Sequence, residues 1–340
     1  MEKNFDIVSV GDTTVDVFLE VSSEDAHKSC DVNNKDCQIC FSYASKIPVS
    51  KLTRIAGVGN AANNAIGSSR LDLKTAIYTV TGSDQDSQET KRILEEEGVD
   101  TRLLVMENGV RSNFSAVINY GGERTIFVYH EPHNYNLPKI ETDWIYFTSV
   151  GEGKEGLQRQ LAEYVATSGV KLGFNPGSYH LKEGLENLRP LLEKTNVLLL
   201  NREEAEGLVG SHSAGGSAGQ GADIEDTKGL LKSLKDTGPE IVVITDGPDG
   251  SYASVDGREV WYVGIPDTEV VERTGAGDAY STGFLAATIK GHTLPEAMVW
   301  GTMNASSVVQ HIGAREGLLT LAQIQKWVEK YKDQVKPRMV

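Results

Sequence analysis

Val270-Val271-Glu272-Arg273-Thr274-Gly275-Ala276-Gly277-Asp278 runs directly into Ala279-Tyr280-Ser281-Thr282-Gly283-Phe284-Leu285-Ala286-Ala287. This stretch reads as a turn that opens a helix. Two glycines flank one alanine, so little side-chain bulk shields the backbone N–H groups, and the apolar run that follows suits a buried helix. The first N–H groups of a helix have no internal partner, and the helix dipole adds partial positive charge there. The result is a seat for an anion, and a phosphate fits it well. Asp278 stands at the mouth of that seat. Its carboxylate either serves the helix start, as acids in a first turn do, or takes a proton from a hydroxyl that attacks the bound phosphate. Spacing alone leaves both roles open. The turn is not a Walker loop, because no Gly-Lys-Ser/Thr follows. Nor is it a dinucleotide fingerprint, since it lies late in the chain and lacks GxGxxG spacing.

The 340 residues suffice for one large α/β domain or two ordinary ones, and 39% hydrophobic content allows a sizeable core. A net charge of -15 argues against nucleic-acid binding, which needs clustered Lys and Arg, and disfavours an anionic membrane surface. An anionic ligand must therefore be held by a local device such as a helix start. No apolar run approaches the roughly 20 residues of a membrane span. Met1-Glu2-Lys3-Asn4-Phe5 lacks a basic head and an apolar signal core, so a cytoplasmic location is expected. Three cysteines are too few for a disulfide scaffold. His27, Cys30, Cys37 and Cys40 form H-x2-C-x6-C-x2-C, a candidate structural zinc site with an unusually short middle spacer. Reduced, partly buried thiols are the competing and preferred expectation.

Working outward, Phe5 to Val10 is an apolar run of strand type, closed by Gly11-Asp12. Asp12 and Asp16 follow it, where open α/β sheets bind ligands. They serve either as turn residues or as acceptors for sugar hydroxyls. Residues 15–21 suit a second strand, and 47–52 look extended. Gly57-Val58-Gly59-Asn60-Ala61-Ala62-Asn63-Asn64-Ala65 reads as a small-residue helix start. It either packs on a sheet or lets a polyol approach Gly59, Asn60 and Asn63. Strands are expected at 75–80, closing in a turn at Gly82, and at 103–105, with a surface helix at 87–97. Residues 113–120 and 124–130 alternate around Gly121-Gly122-Glu123, a hairpin signal that breaks the βα rhythm. Pairing with segments between 15 and 55 gives a small accessory sheet.

From Trp144 the rhythm returns. Strands are expected at 144–148, 170–174, 196–200 and 240–245, with helices at 154–168, 181–193 and 223–236. The strands are nearly continuous in apolar character, as parallel strands covered on both faces should be. Asn201 and Glu204 follow one of them and either cap a helix or hold waters around Mg2+. Residues 210–221, rich in Gly and Ser, read as a mobile surface loop. Thr245 and Gly247, after the next strand, suit either a glycine turn or a nucleotide groove. A strand pair at 251–255 and 258–263 precedes the glycine turn. Helices at 278–289, 294–311 and 320–333 follow it. No repeat or linker divides the chain, so residues 1–340 are expected to form a single domain. A lid is drawn from segments about 15–55 and 110–131.

The order of these signals resembles the ribokinase-like (PfkB) carbohydrate kinase family. Gly11 with Asp16, then Gly59 to Ala65, Asn201-x-x-Glu204, Thr245-x-Gly247-x-x-Gly250 and Thr274-Gly275-Ala276-Gly277-Asp278 occur in sequence over residues 5–320. The resemblance implies a doubly wound, mostly parallel α/β sheet flanked by helices, with a small β-sheet lid. It implies ATP-dependent phosphorylation of a hydroxymethyl group on a sugar or nucleoside. Matched residue by residue, Asp278 is the catalytic base, and Gly275, Ala276 and Gly277 supply the anion hole. Asn201 and Glu204 help place Mg2+ and phosphates, Glu204 through water. Thr245, Gly247 and Gly250 line the ATP site, and Asn304 matches an asparagine near the adenine. Asp16, Gly59, Asn60 and Asn63 match acceptor-binding positions, with Asp12 beside them.

The chain also departs from that pattern. Glu272-Arg273 replaces a usual Asp-Thr, in a region tied to monovalent-cation binding. Val58 replaces a glycine. The cysteine-bearing insertion lies where lid strands are expected, which suggests an enlarged lid or homodimer pairing through it. A nucleoside acceptor would prefer an aromatic platform, for which Phe18, Phe41, Tyr43, Phe114 and Tyr129 are candidates beside a plain lid-core role. A phosphorylated acceptor would need Lys51, Arg54 or Arg111 in the pocket. A sugar sensor without catalysis is the alternative of another class, and the intact Asp278 argues against it.

Overall fold

The computed structural model describes residues 4–30, 37–121, 123–210 and 224–340. The chain opens with β1 (Phe5–Val10) and β2 (Thr14–Val21), then a hairpin of β3 (Ala26–Cys30) and β4 (Cys37–Phe41). β5 (Val49–Val58) leads through Gly59 into α1 (Asn60–Arg70). Next come β6 (Thr75–Tyr78), β7 (Val80–Gly82), α2 (Gln85–Glu96), β8 (Val105–Glu107), β9 (Asn113–Tyr120) and β10 (Glu123–Tyr129). Strand and helix then alternate: β11 (Thr142–Phe147), α3 (Glu155–Ser168), β12 (Lys171–Phe174), α4 (Ser178–Glu183), α5 (Leu185–Leu192), β13 (Val197–Asn201) and α6 (Arg202–Val209). The rest is α7 (Ile224–Lys235), β14 (Ile241–Thr245), β15 (Ser251–Ser254), β16 (Val260–Val263), α8 (Ala276–Ile289), α9 (Leu294–Val308), α10 (Leu321–Tyr331) and β17 (Arg338–Met339).

Nine strands form the central sheet in the order β17-β16-β15-β14-β13-β12-β11-β1-β6. The run from β6 to β14 is parallel, and β14 to β17 pair antiparallel. Alternate residues of each parallel strand enter different cores. Val8, Phe147, Phe174, Leu198 and Ile244 pack with leucines of α3, α5 and α7 on one face. Ile7, Tyr146, Leu199 and Val243 pack with α8, α9 and α10 on the other. Burial on both faces is why these strands are apolar through most of their length, and why the polar groups that follow them mark the sheet's carboxyl edge.

β10-β9-β2-β5 make a second, smaller sheet that overhangs that edge. β2 runs parallel to β9 and antiparallel to β5, while β9 and β10 form the hairpin signalled by their glycines. A register shift between Thr14 and Asp16 bulges β2 where Asp16 meets the cavity. Along β10 the alternation puts Arg124, Ile126 and Val128 on the cavity side, leaving Thr125, Phe127 and Tyr129 on the other.

Several local expectations need correction. Gly82 lies within β7, not in a turn. Its missing side chain is explained by close backbone, since a Cβ there would sit 2.4 Å from the Arg111 carbonyl carbon. The strand expected at 103–105 begins at Val105 instead. The helix expected over 181–193 is split by Gly184, whose φ of 79° ends α4. β17, too short to announce itself, completes the sheet beside β16. Gly210 caps α6 in the left-handed region, and the rest of the expected mobile loop lies outside the described residues. Cys30 and Cys37 face each other across β3 and β4 and are joined in a disulfide, which overturns the expectation of reduced thiols for that pair. Cys40 is free and half-buried, opposite His27. The bridge consumes two of the four zinc candidates, and among the described residues no group of three His, Cys, Asp or Glu is placed to hold a metal.

α8 is buried from Asp278 to Ala287, and α9 crosses it at close range. The approach depends on Gly283, where a Cβ would lie 2.6 Å from the Trp300 carbonyl oxygen. That neighbour is backbone and cannot swing aside. Gly283→Ala is therefore expected to lower stability by about 1–3 kcal/mol despite alanine's better helix propensity. Urea denaturation compared with the wild type measures this, and an unchanged midpoint would mean that the helices separate freely.

Candidate active site

The turn before α8 is held from three sides. Gly275 adopts φ 77°, which glycine alone tolerates well. A Cβ there would also lie 2.2 Å from the Cβ of Ala314, so the position is closed twice over. Gly277 differs, since nothing lies within 4 Å of a Cβ placed on it. Its bareness serves the open space in front of the helix, not the packing behind it. Glu272 braces the turn: its Oε1 accepts from the Thr274 N–H at 2.7 Å and from the Thr274 hydroxyl, and its Oε2 from the Gly313 N–H at 3.1 Å.

α1 supplies the opposing wall. Gly59, with φ 102°, starts it hard against the backbone of Asp12 and Thr13. Asn64 ties α1 to its surroundings, donating to the Thr282 hydroxyl at 3.1 Å and accepting from Ser9 at 2.7 Å. Its neighbour Asn63 is thereby aimed at Asp278, donating from Nδ2 to Oδ2 at 2.8 Å. The Oδ1 of Asn63 is buried and has no hydrogen-bond partner among the described residues. Such an orphaned acceptor is costly unless a ligand donates to it, and an acceptor hydroxyl would do so.

Asp278 is only 8% exposed. Burial pushes its pKa up to about 6, the Asn63 hydrogen bond opposes the shift, and the charge of Asp16 adds to it. Asp16 is likewise pushed to about 6 by burial, against a hydrogen bond from Ser115 and with help from Glu272. A carboxylate near 6 is ionised at neutral pH yet basic enough to accept a proton in a transition state.

Two cavities meet at this turn. The larger, about 540 Å³, is lined by Asp12, Asp16, Gly59, Asn60, Asn63 and Asp278, among others. Its floor takes the polar ends of β11 to β14, namely Ser149, Asn175, Asn201 and Thr245, and the overhanging sheet roofs it. The smaller, about 340 Å³, is largely apolar, with Ile265, Pro266, Val270, Ala305 and Val309 beside Gly247 and Gly250. Asn201, Thr245, Arg273, Ala276 and Gly277 belong to both. The glycine turn thus stands at the junction of a polar pocket and an apolar groove.

The remaining sequence candidates fall into place unevenly. Asn201 and Glu204 do form a capping box, the Asn201 N–H donating to the Glu204 carboxylate at 2.9 Å and the Glu204 N–H to Asn201 Oδ1 at 2.8 Å, and both also line the larger cavity. Burial raises the Glu204 pKa, opposed by the Asn201 N–H, and the nearby Asp278 charge raises it further. Asp12 is held by the Gly151 N–H at 2.8 Å, the Tyr135 hydroxyl at 2.5 Å and His130 Nδ1 at 3.0 Å. Asn304 is not brought to the groove. It is fully buried, donating to the Ala279 carbonyl and accepting from the Leu319 N–H, so it ties helices together, and Thr302, Ala305 and Ser306 form that wall.

Lys51, Arg54 and Arg111 do not line the larger cavity; Arg54 instead pairs with Asp86 and Glu89. Of the aromatic candidates, Phe18 is buried in the lid, while Phe41, Tyr43, Phe114 and Tyr129 are exposed, and none reaches the cavity. The basic and aromatic residues that do line it are Arg124, His130, Tyr179, Lys182 and Arg273. Sequence reasoning missed the first four. Strand alternation points to Arg124 and His130, while α4, which follows Asn175, carries Tyr179 and Lys182.

A helix start facing open space, a buried carboxylate and an apolar groove around one junction suit a phosphotransferase of the alcohol-kinase class. The pfkB family carbohydrate kinase profile matches residues 6–321, and the chain belongs to that family. It is similar to a sugar kinase of Archaeoglobus fulgidus, 28% identical over 74% of this chain and 98% of that one. It is also similar to the 5-dehydro-2-deoxygluconokinase of Shouchella clausii, 27% identical over 80% and 86%. The ribokinase of Arabidopsis thaliana, solved with ribose and ATP, shares the fold with a TM-score of 0.78 at 19% identity, over 97% and 99% of the two chains.

The raised Asp278 pKa has a stability consequence. The folded value lies above the ordinary 3.8, so ionisation opposes folding. The penalty is absent below about pH 4, grows between pH 4 and 6, and is full above that, at roughly 2–3 kcal/mol. Asp278→Asn is expected to be more stable than the wild type by about 1–3 kcal/mol at pH 8, with the gap closing by pH 4. Thermal melts across that range check it. A gap that fails to narrow on acidification would show that the carboxylate is not strained.

Proposed function

We propose that this enzyme moves the γ-phosphoryl group of ATP to a hydroxymethyl oxygen of a sugar. Asp278 takes the hydroxyl proton as that oxygen attacks phosphorus. The bond from phosphorus to the β–γ bridging oxygen breaks, and ADP leaves. The N–H groups of Gly275, Ala276 and Gly277 at the start of α8 receive charge on the transferring group, that of Ala276 exchanging its 3.3 Å bond to the Arg273 carbonyl for the phosphoryl oxygen. The observation that carries this reading is the position of Gly277 on the shared wall of the two cavities, with the buried carboxylate one residue further on.

ATP is assigned to the apolar groove beside Gly247 and Gly250, with its phosphates toward Thr245 and Gly277. Asp12, Asp16, Asn60 and Asn63 are assigned to acceptor hydroxyls. Mg2+ fits as a hard cation that takes oxygen ligands and keeps several waters, and the carboxylate of Glu204 lines the larger cavity. Glu204 would hold the ion through water, and the metal would supply neutralisation of phosphate charge. A monovalent cation fits less well, since Glu272 is already engaged by Thr274, Gly313 and Arg124. A nucleoside acceptor is the second reading, favoured by Tyr179 in the cavity wall. Exposed Leu52, Phe127 and Tyr129 on the lid support self-association through it, and sedimentation velocity should show a dimer that Phe127→Lys dissociates.

Coupled ADP release with D-ribose, 5-dehydro-2-deoxygluconate, adenosine and related alcohols tests the reaction. One class should turn over, and Asp278→Asn should lower kcat by about a thousandfold or more while ATP still binds. Near-normal turnover by that variant would place the base elsewhere.

A further inference from the structure

Glu272 is the meeting point of three segments. Thr274, which it holds, directly precedes Gly275. Gly313, which it also holds, directly precedes Ala314, the residue packed against Gly275. The third segment is the lid. Arg124, on the cavity side of β10, donates from Nη1 to Glu272 Oε1 at 3.0 Å. The Glu272 side chain is 11% exposed and that of Arg124 31% exposed, so the pair is neither buried nor freely solvated. One carboxylate therefore shapes the anion seat from both sides and takes its counter-charge from a strand of the roof.

This geometry links two events. With the roof down, the guanidinium neutralises Glu272, and four donors share its two oxygens. With the roof lifted, Glu272 loses its cation while Asp12, Asp16, Glu204 and Asp278 remain around the cavity that Thr274 and Gly275 line. The carboxylate is then freer to turn toward water, and its grip on Thr274 and Gly313 weakens. Resting on the kinase reading above, we propose that Arg124 and Glu272 act as a positioning pair that couples lid closure to the geometry of the catalytic turn. The turn is fully formed only beneath a closed lid, so phosphoryl transfer to water is held back while the acceptor pocket stands open.

The test is Arg124→Gln with Arg124→Lys as the conservative partner. ADP release is measured without acceptor and with D-ribose, 5-dehydro-2-deoxygluconate or adenosine, whichever turns over fastest. Arg124→Gln should lower kcat for the alcohol about 10- to 100-fold and raise the share of turnover lost to water, and Arg124→Lys should recover most of the loss. Hydrogen exchange followed by mass spectrometry needs no turnover. Exchange in Arg124→Gln should quicken both in residues 113–129 and in residues 272–279. An unchanged ratio of transfer to hydrolysis overturns the coupling, as does exchange that quickens in the lid while 272–279 keeps its wild-type rate. A wild type that phosphorylates no alcohol sinks the kinase reading and leaves the exchange result to decide the coupling alone.

Discussion

A carboxylate buried at the start of an apolar helix is the constraint around which this protein is built. Asp278 opens a helix with no other charged residue along its length, and among the described residues only Asn63 donates a hydrogen bond to its side chain. Such a group is expensive to hold ionised, and the surrounding parts make sense as what holds it. α1 is clamped by Asn64 so that Asn63 points the right way. Gly283 lets α9 close over the far side. The helix's own first N–H groups lie beside the acid and favour its charged form. Strain of this kind clusters at functional sites, and it is what the base role proposed for Asp278 requires.

The central sheet supplies position more than chemistry. Its parallel strands are covered on both faces, so polar residues collect toward the strand ends, the carboxyl ends included. There Ser149, Asn175, Asn201 and Thr245 arrive side by side as one floor. Each of these residues is separated from the next by at least 26 positions in the chain, and only the parallel order brings them together. The overhanging sheet has the opposite character. It is open on one face and stands over polar ground, so it is suited to moving.

This division explains what the sequence made legible. Continuous apolar runs mark the parallel strands, and the turn from Thr274 to Asp278 marks the anion seat, because in both cases local pattern and final environment agree. The polar residues at strand ends were readable for the same reason. Lys182 and Tyr179 were not, because they enter the cavity from a six-residue helix with no distinguishing period. Asn304 was misread because a buried amide that ties helices has the same local sequence as one that faces a ligand. The cysteines were misread because spacing does not reveal that Cys30 and Cys37 occupy opposing positions on two short strands. Gly82 was taken for a turn because a glycine required by a neighbouring backbone looks no different from one required by a bend.

Glu272 and Arg273 show how far a departure from a family pattern can be read. Taken alone, the exchange of Asp-Thr for Glu-Arg puts a monovalent-cation site in doubt. In the fold the two charges do not pair with each other. Glu272 turns inward to Thr274, Gly313 and the lid's Arg124, while Arg273 lies on the wall common to both cavities. The segment before the glycine turn thus joins the roof to the seat with one residue and presents a cation at the junction with the next. In a protein of net charge -15, a cation at that junction is a local exception. With ATP placed as proposed, it stands where the polyphosphate brings the most negative charge, and there attraction works at contact distance and not through the field of the whole molecule.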